Sequence, residues 1–193
     1  MDKRVIKTKH NLKQALRDLL QEKAFDKITV TEICSTANTS RITFYTHYDD
    51  KYNLLEDLFK DREQEMKVSF EKLQLQNNRS DDPLKSYQNL LEVFINTFYG
   101  NFNFFHSSPI ENNMDLMFLY YNFMTSHIAS FEEKYKDQMV SRFPGKQMSA
   151  FWALGIFGFI HQADEMNYPI EEIKADAKIL IGNIVNSEIY EKN

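Results

Sequence analysis

The residues best suited to chemistry stand in one stretch, ITVTEICSTANTSRITFYTHYDDK, from Ile28 to Lys51. The chemistry they offer is recognition by hydrogen bonds and apolar contact, not bond making. Arg41 carries a planar fork of donors that suits guanine, and Ile42, Thr43 and Thr46 carry methyl groups that can meet the thymine methyl. Tyr45, His47 and Lys51 can donate to phosphate oxygens, contacts that hold register without reading bases. Signs of catalysis are missing: no G-x-S-x-G, no Gly-rich phosphate loop, no H-E-x-x-H and no Cys–His pair at a telling spacing. His161 and Glu165 lie four apart, but two residues do not make a metal site. We therefore expect no catalytic residues, no metal ligands and no cofactor, and read the chain as a binding protein rather than an enzyme.

Two short helices must position these side chains. Thr29-Val30-Thr31-Glu32 has the form of a capping box, in which hydroxyl and carboxylate each satisfy a free backbone donor at a helix start. Val30, Ile33, Cys34 and Ala37 then follow at helical spacing as one apolar face. Asn38 can take the left-handed conformation that ends a helix, and Ser40 can cap the next. In that second helix Phe44 and Tyr48 share an inward face. Ile42, Thr43 and Thr46 take the opposite side, flanked by Tyr45, with Arg41 in the first turn. A helix-turn-helix presents the first turns of its second helix to base edges.

The pattern T-V-x-E-I-x-x-x-A-x-x-S-x-x-T-F-Y-x-H-Y-x-x-K resembles the DNA-binding domain of TetR-type transcriptional regulators. The resemblance implies that Thr29 contacts a phosphate at the start of the second helix of the domain. It places Ser40, Arg41, Ile42, Thr43 and Thr46 at base or groove contacts, and Tyr45, His47 and Lys51 at the DNA backbone. Asn38 and Ile42 stand where the family often has Gly or another small residue. The implied function is a repressor that binds a palindromic operator as a homodimer and is released by a small apolar or aromatic ligand. The alternative is a DNA-binding dimer without a small-molecule ligand, controlled by a protein partner or acting as an activator.

Charge is distributed accordingly. Residues 1–48 hold 9 Lys and Arg against 5 Asp and Glu, a net of +4, which leaves −9 for the remainder of a chain whose formal charge is −5. The positive footprint is local, and the acidic body discourages non-specific wrapping. The lone Cys34 can form no internal disulfide, which fits a reducing compartment. MDKRVIKTKH lacks the apolar stretch of a signal peptide, and the longest apolar run, Phe151 to Ile160, is too short to cross a bilayer. A cytoplasmic protein with no membrane partner is expected.

With 16 Phe, 10 Tyr, only 5 Gly and 4 Pro, the chain reads as all-α with short connections. No alternating apolar run calls for a sheet. The spacing predicts about nine helices in two domains: a three-helix DNA-binding domain over residues 1–50 and a helical regulatory and dimerisation domain over 51–193. Residues 1–10 read as a basic arm, in which Lys7 or Lys9 can reach a phosphate. A helix over about 6–22 buries Leu12, Ala15, Leu16, Leu19 and Leu20. A long helix from Lys51 to about Gln76 reads as a lever leaving the DNA surface, and further helices start after Asp82-Pro83, near Ile110, near Gln147 and at Ile170.

Two features of the C-terminal part have alternative uses. Phe94, Phe98, Phe102, Phe105, Phe118 and Tyr121 can line an apolar ligand pocket or simply fill a core. The helix over about Gln147–Met166 is apolar almost all round, so one side must meet something beyond its own neighbours. Trp152, Gly155 and Phe159 there, with Ile173, Ala177, Leu180 and Ile184 on the last helix, Ile170–Tyr190, are expected at a two-fold dimer interface. An ordinary intramolecular core is the other reading.

Overall fold

The structure, a computed structural model, describes residues 2–100 and 114–192; the side chains of 98–100, 114–116, 164 and 192 lie outside that description. The described residues form eight α-helices, one 3-10 turn and one pair of short strands. They belong to two compact units: one holds Met1–Glu65, and the other holds Met66 through the following helix and Phe118 onward. The division falls inside one continuous helix, later in the chain than the expected boundary between residues 50 and 51.

In the first unit α1 spans Lys3–Glu22, a 3-10 turn spans Phe25–Lys27, α2 spans Val30–Thr36, α3 spans Arg41–Tyr45, and α4 runs Lys51–Asn77 across the division. The Asp2 carboxylate accepts the Arg4 N–H at 2.9 Å and caps α1. The expected basic arm is thus helical from Lys3. The predicted stripe of α1 is buried, together with Phe25, Ile28, Ile33, Phe44, Leu54, Leu55 and Leu58. Each such large apolar side chain contributes about 1.5–3 kcal/mol by leaving water. Asp50 starts α4 by accepting the N–H groups of Tyr52 and Asn53 at 2.8 and 2.9 Å.

The second unit continues from Met66 in α4 into α5 (Pro83–Gly100), α6 (Met114–Tyr135) from Phe118 onward, α7 (Gly145–Glu165) and α8 (Ile170–Val185). Its core gathers Tyr87, Phe94, Ile95, Tyr120, Met124, Trp152, Ile181, Val185 and Tyr190 among others. The α4–α5 corner turns at Asp81 (φ 55°) and the α7–α8 corner at Asn167 (φ 57°). Both are left-handed conformations that Asn and Asp tolerate better than most side chains. Asp82 then caps α5 by accepting the Lys85 N–H at 2.7 Å, with Pro83 in the first helical position.

Several expectations need correcting here. A two-stranded antiparallel sheet exists: β1 (Met139–Ser141) pairs with β2 (Tyr190–Lys192), Val140 opposite Glu191. Strands of three residues are too short to show an alternating pattern. The last helix stops at Val185 rather than Tyr190. The Ser187 hydroxyl donates to the Ile184 carbonyl at 2.6 Å, and the Asn186 N–H to that of Gly182 at 3.0 Å. These bonds close α8 and release the chain into β2.

Of the expected pocket residues, Phe94 is buried in the core edge-on to Phe123, Phe118 is 65% exposed and Tyr121 is partly buried. The Phe98 side chain, and Phe102 and Phe105 altogether, lie outside the description. Of the expected dimer residues, Trp152, Ile173 and Ala177 are buried in the chain's own core. Trp152 is held there by its indole N–H, which donates to the Tyr190 hydroxyl at 2.7 Å. A helix apolar on every side gives its period no direction, so spacing could not say which side faced inward. Gly155, Phe159, Leu180 and Ile184 stay exposed or half-buried.

Candidate nucleic-acid interface

The start of α2 is a complete capping box. The Thr29 hydroxyl accepts the Glu32 N–H at 3.3 Å, and the Glu32 carboxylate accepts the Thr29 N–H at 2.9 Å. Lys23 bonds the same carboxylate, and these bonds, that of Lys23 foremost, draw its pKa down to about 2. Asn38 has φ 48°, and the Thr39 N–H reaches back to the Cys34 carbonyl at 2.8 Å. That closure ends α2 in a tight turn. Burial pushes the Cys34 thiol up, away from the reactive thiolate. Ser40 then caps α3, accepting the Thr43 N–H at 3.0 Å.

The α3 helix is short, and the chain continues as a turn to Tyr48, whose N–H still reaches the Phe44 carbonyl at 3.0 Å. Phe44 is fully buried and Tyr48 nearly so. That fixes which side of α3 looks out. Ile42 is 81% exposed and Tyr45 50% exposed. Arg41, Ser40 and Thr46 are exposed as well, and Thr43 and His47 are partly so. Ile42 is thus open to water on the same short helix as Arg41 and the Thr43 hydroxyl, residue types that can meet base edges. The hydroxyls are already engaged locally: Ser40 shares a 2.8 Å bond with Thr43, and Thr46 donates to the Thr43 carbonyl at 2.6 Å. Thr29 is exposed at the start of α2 on the same unit.

Lys51, expected at a phosphate, is hydrogen-bonded within its own unit. Its ammonium donates to the carbonyls of Phe25 at 2.8 Å, Ile28 at 2.9 Å and Asp26 at 3.1 Å, and lies 4.6 Å from the centre of the Phe25 ring. Three acceptors match the three donors of an ammonium. Lys51 therefore braces the turn that leads into α2. Lys9, also expected near phosphate, sits 3.5 Å from Asp57 and over the Tyr48 ring; Lys7 is exposed.

One network escaped the sequence reading. The Tyr48 hydroxyl donates to Asp57 at 2.6 Å, and Lys13 lies 3.2 Å from Asp57 and 2.7 Å from Asp61. Burial alone would raise the Asp57 pKa, but the bonds from Tyr48 and Lys13 outweigh it and lower it. Burial, then the bond to Asp57, raises Tyr48. The signal was present as two rows at spacing four: Lys9, Lys13 and Arg17 on α1, Asp57, Asp61 and Glu65 on α4. These rows pin the end of the α3 segment, through Tyr48, to α1 and α4.

Together, α2, the turn at Asn38 and α3 form a helix-turn-helix unit. Residues 13–58 match the family described as bacterial regulatory proteins, tetR family. A curated relative, the uncharacterized HTH-type transcriptional regulator YxbF of Bacillus subtilis (strain 168), is 39% identical over 59 residues. That stretch is 30% of this chain and 16% of the relative's length. In fold, the likeness covers nearly the whole chain. A TetR-family protein from Syntrophomonas wolfei str. Goettingen matches with TM-score 0.66 and 15% identity over 94% of this chain and 96% of its own. The dihydroxyacetone kinase operon activator DhaS matches with TM-score 0.59 and 19% identity over 92% and 96%. No described helix is long and apolar enough to cross a membrane.

Proposed function

We propose that the protein is a repressor that binds a roughly palindromic operator as a homodimer, with the outward side of α3 in the major groove. The observation that carries this reading is the exposed Ile42, set beside Arg41 on a helix whose opposite side is locked by Phe44. The two copies of α3 would lie about one DNA turn apart, roughly 34–36 Å. Support for pairing comes from α7 and α8, which leave Phe151, Leu154, Ile179 and Leu180 exposed. Next to them is an apolar groove of about 150 Å³, and a Cβ added at Gly155 or Gly158 would meet nothing within 4 Å. Another backbone can approach closely there. Release by a small apolar or aromatic ligand belongs to the same reading and rests on the aromatic density of α5 and α6.

Operator binding by fluorescence anisotropy tests the proposal, with the DNA taken from a genome-wide pull-down. Arg41→Ala should weaken specific binding by about 1–3 kcal/mol and leave non-specific binding nearly intact. Equal losses on both would make Arg41 a phosphate contact and withdraw it from base reading. A second reading, an activator, draws on the name of the DhaS fold neighbour. Transcript levels of the adjoining genes, with and without the protein, separate the two by sign.

A further inference from the structure

Away from α3, the second unit holds a cavity of about 260 Å³ lined by Tyr87, Glu132, Lys136, Phe143, Lys146 and Tyr190, among others. Glu132 is its unusual member. One carboxylate oxygen, Oε2, receives a single long bond from the Ser149 hydroxyl at 3.3 Å. The other, Oε1, is buried and has no hydrogen-bond partner. Gly145, the first residue of α7, has no side chain to fill the space; a Cβ there would stand 3.1 Å from Oε2. Burial raises the Glu132 pKa to about 7, with the Ser149 bond pulling the other way. After burial itself, the Glu132 charge is among the causes that raise Tyr87 and Tyr190.

An under-paired carboxylate in a partly buried wall is costly, and a donor that meets it recovers that cost. We propose that this cavity binds a small organic cation, a primary or secondary amine whose ammonium pairs with Glu132 and whose short hydrocarbon part lies against Tyr87, Tyr190 and Phe143. Aromatic faces attract a cation as well as an alkyl chain. Tyr190 is held in place by the bond from Trp152, so this wall is preformed. Lys136 is already paired with Glu133. Lys146 also lines the cavity and carries the same charge as the proposed amine. The volume lies below that of drug-sized sites, which selects a short amine. The site is separate from the aromatic residues expected to line a pocket, and its occupancy does not depend on whether the protein binds DNA.

Calorimetry on the full chain tests this with n-butylamine as the probe, against n-butanol and butyrate as neutral and anionic counterparts. Butylamine should bind saturably near pH 8, and the other two should not. Glu132→Gln should weaken it by about tenfold or more, the loss expected for one charge-assisted hydrogen bond. Lys146→Met should strengthen it, an effect that a misfolded variant would not give. In the wild type, carboxyl NMR should show the Glu132 titration moving down from about 7 on saturation, because the ammonium favours the ionised form. Any of three results overturns the proposal: no saturable heat up to about 20 mM amine, a range that covers millimolar affinities; butanol or butyrate binding as well as the amine; or a Glu132 titration unmoved at saturation.

Discussion

Two exposed apolar surfaces on this molecule are built on opposite principles. The outward side of α3 shows one isoleucine among an arginine and several hydroxyls, on a helix of five residues. The outward side of α7 and α8 shows Phe151, Leu154, Ile179 and Leu180, with glycines between, on helices of 21 and 16 residues. A single aliphatic side chain amid polar ones suits a surface that is itself mostly polar, such as the major groove. A continuous apolar face opened by glycine suits another protein face of the same kind. The difference teaches that exposure alone says little; the company an exposed side chain keeps indicates its partner.

The sharpest way to break the comparison is to remove what each surface stands on. Phe44→Ala should cost about 3–5 kcal/mol in denaturant unfolding, because it empties the buried side of α3. Ile42→Ala, two residues away, should change stability by no more than about 0.5 kcal/mol while weakening operator binding. A stability loss for Ile42→Ala as large as that for Phe44→Ala would mean that the outward side packs on protein.

On the other surface, Leu154→Asp should shift the proposed dimer to monomer in sedimentation, a loss of about 2 kcal/mol or more if Leu154 sits near the centre of the contact. Intact dimers would move the pairing surface elsewhere. Lys51→Ala should lower stability by about 1–3 kcal/mol, since it leaves carbonyls of the 25–28 turn without their donor. The salt slope of DNA binding should hardly change. A slope shallower by about one would restore Lys51 as a phosphate contact.

The smallest effect concerns pH. Glu132 binds its proton more tightly folded, at about 7, than at its ordinary 4.5. Its contribution to stability is therefore complete below about 4.5 and is lost as pH rises through about 7. Glu132→Gln should flatten the melting temperature across that window; a curve unchanged from wild type would remove Glu132 as its source.

The helix-turn-helix was legible because each of its parts is local. Thr29 and Glu32 are three residues apart, Asn38 and Ser40 are two apart, and Phe44 and Tyr48 share a helical face. Every cap and turn could be read from neighbours, and the structure has them all. The second unit is organised by partners far apart in the chain. Trp152 meets Tyr190, and Val140 pairs with Glu191. No period in the sequence announces such meetings, so the side of α7 that faces inward, the end of α8 and the strand pair are set by packing between distant segments. The Glu132 cavity is of the same kind, assembled from α5, α6, α7 and β2. Lys51 shows a limit within the legible part: its position was read from the pattern, but its acceptors lie 23 to 26 residues earlier.

Among the described residues the three left-handed corners, at Asn38, Asp81 and Asn167, are all occupied by residues that carry a side chain. Glycine would take those angles without strain, but it would leave the unfolded chain freer and the corner looser. Each corner here accepts a little strain and in return behaves as a stiff bracket, not a swivel. Replacing all three with glycine should therefore leave the melting point nearly where it is and show itself in faster amide exchange at the flanking helix ends.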